Sequence, residues 1–124
     1  MLCGITFAAF STMTIKILDI INTPNAILHE FGLKVYDQAK PALIRGEEVK
    51  LSFENLRNVT SLFCNASIGK LYMEFPDKAP NLLKVENITN EYWWESIGEA
   101  IELAQDLKRS NARKEAISDL FHHS

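Results

Sequence analysis

The sequence predicts an α/β domain, a small mixed sheet with crossover helices lying mainly on one face. Three observations lead there. Apolar residues alternate between a period of two and a helical period, in the order strand, helix, strand, helix, strand, helix. Turn-forming residues, Asn22 to Asn25, Gly46 and Pro76, punctuate those segments. A chain of 124 residues that is 47% apolar has material for one core and none for a second.

The first strand is read over Thr14 to Ile21, where TIKILDII is short, isoleucine-rich and partly alternating. Met13 reads as a natural opening. Residues 1–12 then form an extension, either upstream of the true start or a weakly paired arm. They lack the basic leading region and cleavage site of a secretory signal.

After the turn at Asn22 to Asn25, the first main helix is expected from Leu33 to Arg45, with Gly46 as its terminator. Pro41 removes a backbone donor and crowds the preceding turn, so a kink or an early end is expected near Lys40. From Glu48 to Phe53, polar and apolar residues alternate strictly, which predicts a strand with one face in the core.

The second helix is expected from Ser61 to Phe75, with Thr60 or Ser61 as its N-cap. Projected at about 100° per residue, Cys64, Ile68, Leu71, Tyr72 and Phe75 share one arc. Ser67, Lys70 and Glu74 define the polar side, and Phe63 projects among them. Pro76 ends this helix, LLKVENI (82–88) reads as the third strand, and Asn90 caps a last long helix. Its apolar stripe is Trp93, Ile97, Ala100, Ile101, Ala104 and Leu107. The domain is therefore drawn over 13–109. Residues 110–124 are left as a C-terminal tail that adds at most a short, poorly anchored helix.

Charge and composition exclude several classes. A net charge of −3, from 13 basic and 16 acidic residues, is the wrong sign for a phosphate-backbone binder, so no nucleic acid partner is expected. No stretch reaches the roughly 18 apolar residues of a membrane helix, so no membrane partner is expected either. Cys3 and Cys64 read as free thiols, which fits a reducing, cytoplasmic setting.

Glycine-rich phosphate loops are absent, and the cysteines and histidines lack zinc-site spacing, so no cofactor and no metal are expected. The His122–His123 pair reads as part of a tail. Cys64 with His29 is the nearest approach to a nucleophile and base. The apolar arc around Cys64 makes it a packing residue, and a non-enzymatic protein is expected. What remains is Thr60–Ser61 at a strand–loop–helix junction. Hydroxyls there serve as caps, or as sites where phosphorylation would add charge to a helix start.

Around that junction GEEVKLSFENLRNVTSLFCNASIGKLY, residues 46–72, resembles the STAS-like domain family of uncharacterised bacterial proteins. The resemblance runs from about Ile15 to Leu107, through Pro24, Ala26, Gly32 and LLKVENIT. More distantly, the layout is similar to the STAS domains of anti-sigma factor antagonists. Those domains carry a phosphorylatable serine at this helix start and bind a histidine-kinase-like ATPase. The resemblance puts Ser61 at the phosphoacceptor position and Thr60 just before it. The chain departs from the pattern at Ser52, where the STAS-like family has aspartate, and at Leu62–Phe63, where the antagonists have a small pair.

Together these readings imply a regulatory domain that binds a protein partner. Ser61 and Thr60 are its phosphorylation candidates, Phe63 its anchor, and Ser67, Lys70 and Glu74 its further contacts. The alternative is a sensor of a small ligand or nucleotide, using a pocket at the same junction.

Overall fold

The computed structural model describes residues 11–122, with side chains described as far as Arg109. Three strands form the main sheet in the order β1 (Thr12–Lys16), β3 (Glu48–Ser52), β5 (Leu83–Glu86). Both pairings are parallel, with Ile15 opposite Leu51 and Leu51 opposite Val85. A second ladder joins β2 (Asn25–Ala26) to β4 (Asn58–Val59), also in parallel. Every pairing among the described residues is thus parallel, where a mixed sheet was expected. The helical connections account for this, since each carries the chain back to the edge where it started.

The alternation read in β3 is present. Val49 and Leu51 are fully buried, whereas Lys50 on the opposite face is half-buried beside exposed Thr14 and Lys84. One face therefore carries the core and the other is mainly polar.

The first strand is shorter than its sequence suggested. It ends at Lys16, and Ile17–Ile21 forms a single helical turn and a half, α1. Ile17 and Ile21 are both buried, four residues apart, so helical spacing wins over β-branched composition. Asn22 closes α1 in the left-handed conformation, its N–H donating to the Leu18 carbonyl. Thr12 lies within β1, and the Ser11 carbonyl accepts from the Glu48 N–H, so the domain begins ahead of Met13. The remainder of the 1–12 extension lies outside the described residues.

Helix α2 spans His29–Ile44 and runs through Pro41. No early end occurs at Lys40: the carbonyl deprived of its donor belongs to Asp37, on an exposed side of the helix that water can reach. Gly46 ends α2 as the sequence indicated. At φ 80° its N–H donates to Leu43, and the next N–H, of Glu47, donates to Ala42. The Lys78 ammonium donates to the Ile44 carbonyl and places a cation at the same helix end.

Helix α3 is continuous over 61–74 but not uniform. α-Helical Ser61–Cys64 and Lys70–Glu74 flank a π-helical turn, Asn65–Gly69. A short helix, α4 (Ala79–Leu82), with Pro80 in its first turn, leads into β5. Helix α5 then runs unbroken over Glu91–His122, so residues 110–122 prolong it instead of forming a separate helix. Asn90 caps it, its side-chain oxygen accepting from the Tyr92 N–H at 2.8 Å.

Core side chains from every layer meet, including Ile15, Val35, Leu43, Leu51, Phe53, Leu71 and Ile97. Each such side chain contributes about 1.5–3 kcal/mol by leaving water. Phe53 and Trp93 bring their rings to 6.3 Å, which ties the end of β3 to the first turns of α5.

Candidate functional site

The junction singled out in the sequence is organised by the small β2–β4 ladder. It brings the chain at 25–28 beside the chain at 57–61, and the Thr60 N–H donates to the Ala26 carbonyl. Thr60 is the N-cap of α3, its hydroxyl oxygen accepting from the Phe63 N–H at 3.3 Å. The same hydroxyl donates to the Ile27 carbonyl at 2.9 Å, so both of its capacities are engaged. Ser61, the first helical residue, is exposed.

Three apolar side chains of this junction are in solvent, Leu62 60%, Leu28 47% and Ile27 40% exposed, and the Ile27 carbonyl is bonded to Thr60, the residue before Ser61. Large apolar groups gathered beside a polar helix start form a surface of the kind that partners cover. Sequence reasoning passed over all three. Leu62 projects onto an apolar arc, and Ile27 and Leu28 lie in a segment with no periodicity.

Phe63 and Ser67 are corrections to the contact set. Both are fully buried, so neither belongs to a surface. α2 packs directly on this first turn of α3, with Gly32 against the Phe63 carbonyl, and the Phe63 ring belongs to the hydrophobic core. Ser67 lies in the π turn, which breaks the regular helical projection. Its hydroxyl is satisfied internally, donating to the Phe63 carbonyl at 2.8 Å.

Lys70 and Glu74 are exposed, as expected, and they belong to a cluster spanning α2 and α3. The Tyr36 hydroxyl donates to a Glu74 carboxylate oxygen, and the Lys40 ammonium lies 3.5 Å from the other oxygen. Lys70 stands over the Tyr36 ring at 4.5 Å and Lys40 at 5.5 Å. The hydrogen bond from Tyr36 holds the Glu74 carboxyl below its ordinary value. Burial, reinforced by Glu74, raises the Tyr36 phenol. The Tyr36 hydroxyl and then the Glu74 charge raise the Lys40 ammonium.

Cys64 is fully buried, and burial pushes its thiol up to about 12, which leaves no thiolate for nucleophilic work. His29, proposed beside it, is exposed at the start of α2. Ser52, the departure from the family aspartate, closes β3 with a buried hydroxyl. That oxygen accepts from the Asn87 side-chain amide at 2.9 Å and the Glu54 N–H at 3.3 Å. It thus serves both turns at this end of the sheet.

Among the described residues no group of three or more His, Cys, Asp or Glu side chains is placed to hold a metal. Among them, too, no helix is long and apolar enough to cross a membrane. The His122–His123 side chains lie outside the described set.

A parallel three-stranded sheet, a capped helix start after the central strand and helices packed on the apolar face define a small STAS-like α/β domain. The chain belongs to the family of STAS-like domains of unknown function (DUF4325), whose model matches residues 32–93. That match takes in α2 from Gly32, the junction, all of α3 and the start of α5. No curated protein and no solved structure matches the chain.

Proposed function

We propose that this domain is a non-enzymatic regulator that binds a protein partner over the start of α3. The observation that supports this reading is the exposed trio of Ile27, Leu28 and Leu62 at the junction that carries exposed Ser61. The trio forms the apolar centre of the contact, and Lys70 and Glu74 lie further along the same helix as polar rim residues. By the resemblance described above, the partner is a histidine-kinase-like ATPase. Phosphorylation at Ser61 would switch the contact. A dianion at the first position of a 14-residue helix favours the helix while opposing an apolar partner surface. Thr60 is the less accessible of the two candidates, since its hydroxyl holds the cap and the Ile27 carbonyl together.

The test is affinity capture with wild-type, Ser61→Glu and Leu62→Asp chains, followed by mass spectrometry of partners and of phosphate on Ser61 and Thr60. One ATPase-like protein retained by the wild type and lost by both variants is the expected result. A partner set indifferent to both substitutions would sink the reading. Phe63→Ala is unsuitable as a binding variant, because removing that buried ring costs about 3–5 kcal/mol of folding stability.

A further inference from the structure

A groove of about 320 Å³ lies between α2, α3 and α5, with the π turn along one side. Its floor is made of small, buried residues, Ala66 and Gly69 from the π turn and Ala100 and Ala104 from α5. At Gly69 a Cβ would already lie 3.4 Å from the Ala100 carbonyl oxygen, so α3 and α5 meet closely beneath the groove. The walls are longer and apolar. Met73 is half-buried, and Leu103 and Leu107 are 47% and 45% exposed. That volume is at the lower end for small-molecule sites.

The polar lining is one-sided. His29, Asn65 and Lys70 line the groove, and among the described residues no carboxylate does, although acidic residues outnumber basic ones in this chain. His29 is the first residue of α2, whose N-cap, Leu28, offers no side-chain acceptor to the first-turn amides, and Glu30 in the same turn is exposed and does not line the groove. Lys70, the one lysine or arginine among the described lining residues, stands beside an apolar trough and complements a molecule that is apolar along its length and anionic at one end.

We infer that this groove binds a small amphipathic anion, a medium-chain or single-ring acid. Its body would lie on the Ala66–Gly69–Ala100–Ala104 floor and its carboxylate or phosphate against Lys70 and His29. This goes beyond partner binding at the start of α3, with which it shares only Lys70, and the titration that tests it uses no protein partner.

The experiment titrates the full chain with decanoate, decanol and decyltrimethylammonium, each below its micelle concentration, following backbone amide shifts and melting temperature. Decanoate is expected to shift amides in 65–73 and 100–107 and to raise the melting temperature. Decanol should bind about fivefold or more weakly, since it lacks the charge-assisted contact, and the ammonium least of all. Lys70→Gln should bring decanoate to the level of decanol and leave decanol unchanged. Met73→Trp, at a half-exposed wall, should fill the groove and abolish binding of both without lowering the melting temperature.

Equal binding of decanoate and decanol, binding unaffected by Met73→Trp, or no binding at all would each overturn the assignment. So would sedimentation with anionic phospholipid vesicles in the absence of decanoate binding, which would make the groove a membrane-facing surface.

Discussion

Gly32 on α2 and Ala66 in the π turn of α3 approach so closely that a Cβ on Gly32 would lie 2.6 Å from the Cβ of Ala66. It would come equally near, 2.6 Å, to the Phe63 carbonyl oxygen. Neither neighbour is the end of a flexible side chain, so neither can move aside cheaply. The absence of a side chain at 32 lets α2 pack directly on the first turn of α3, the turn that carries the buried Phe63.

Gly32→Ala should therefore destabilise the fold by about 1–3 kcal/mol, because the steric cost exceeds alanine's advantage as a helix former. Gly98→Ala is the control. Among the described residues nothing lies within 4 Å of a Cβ there, and Gly98 is exposed within α5. That substitution should stabilise by up to about 1 kcal/mol. Urea unfolding of both variants measures the contrast, and equal effects would contradict the close approach.

Thr60→Ala removes an oxygen that serves the Phe63 N–H and the Ile27 carbonyl together. A loss of about 1 kcal/mol, within the 0.5–2 kcal/mol range of helix caps, is expected in equilibrium unfolding. Thr60→Ser should retain most of it. Ser61→Ala, at an exposed position, should stay within about 0.5 kcal/mol of wild type.

Burial governs the thiol. With Cys3→Ser as background, Cys64 should react with a thiol reagent at pH 8 only as fast as the protein opens, and immediately in denaturant. Folding raises this pKa from 9.0 to about 12, so the neutral thiol's contribution to stability is complete below pH 9 and declines as pH rises towards 12. Cys64→Ala should flatten that alkaline decline.

Glu74 acts at the opposite end of the pH scale. Its carboxyl lies below the ordinary 4.5 because Tyr36 donates to it and Lys40 stands beside it. The ionised form therefore adds stability above pH 4.5, and that contribution is lost as pH falls through the lower folded value. Glu74→Gln should reduce the acid dependence of the urea midpoint, and Tyr36→Phe should reduce it in part.

The sequence disclosed the strands at β3 and β5, the cap at Thr60, the terminator at Gly46 and the stripe of α5, because each has a local cause. A period, a hydroxyl or a missing Cβ can be read one residue at a time. The helical turn at Ile17–Ile21 was hidden because a β-branched run carries strand composition and i,i+4 burial together. Helix α2 outlasts Pro41 for a reason that depends on which side of the helix faces water, which the proline itself does not reveal.

At the candidate site, exposure of Lys70 and Glu74 followed from the polar arc, and the interior positions of Phe63 and Ser67 did not. Both depend on non-local geometry, Phe63 on its place in the core and Ser67 on the inserted turn. Tyr36 and Lys40 were missed for a similar reason. They sit on another helix, 38 and 34 residues from Glu74 in the chain, and only the packing of α2 on α3 unites them.

The π turn also sets the angular phase of α3. An inserted residue in a helix acts like an extra tooth in a gear train. Everything beyond it is rotated relative to everything before it, by about 100° for one residue. In this chain Ser61 and Leu62 lie on the near side of that tooth, and Lys70 and Glu74 on the far side. Removing it would wind α3 into one regular screw and swing Lys70 away from Tyr36. The relative bearing of the two ends of the surface is thus encoded in the number of residues between them.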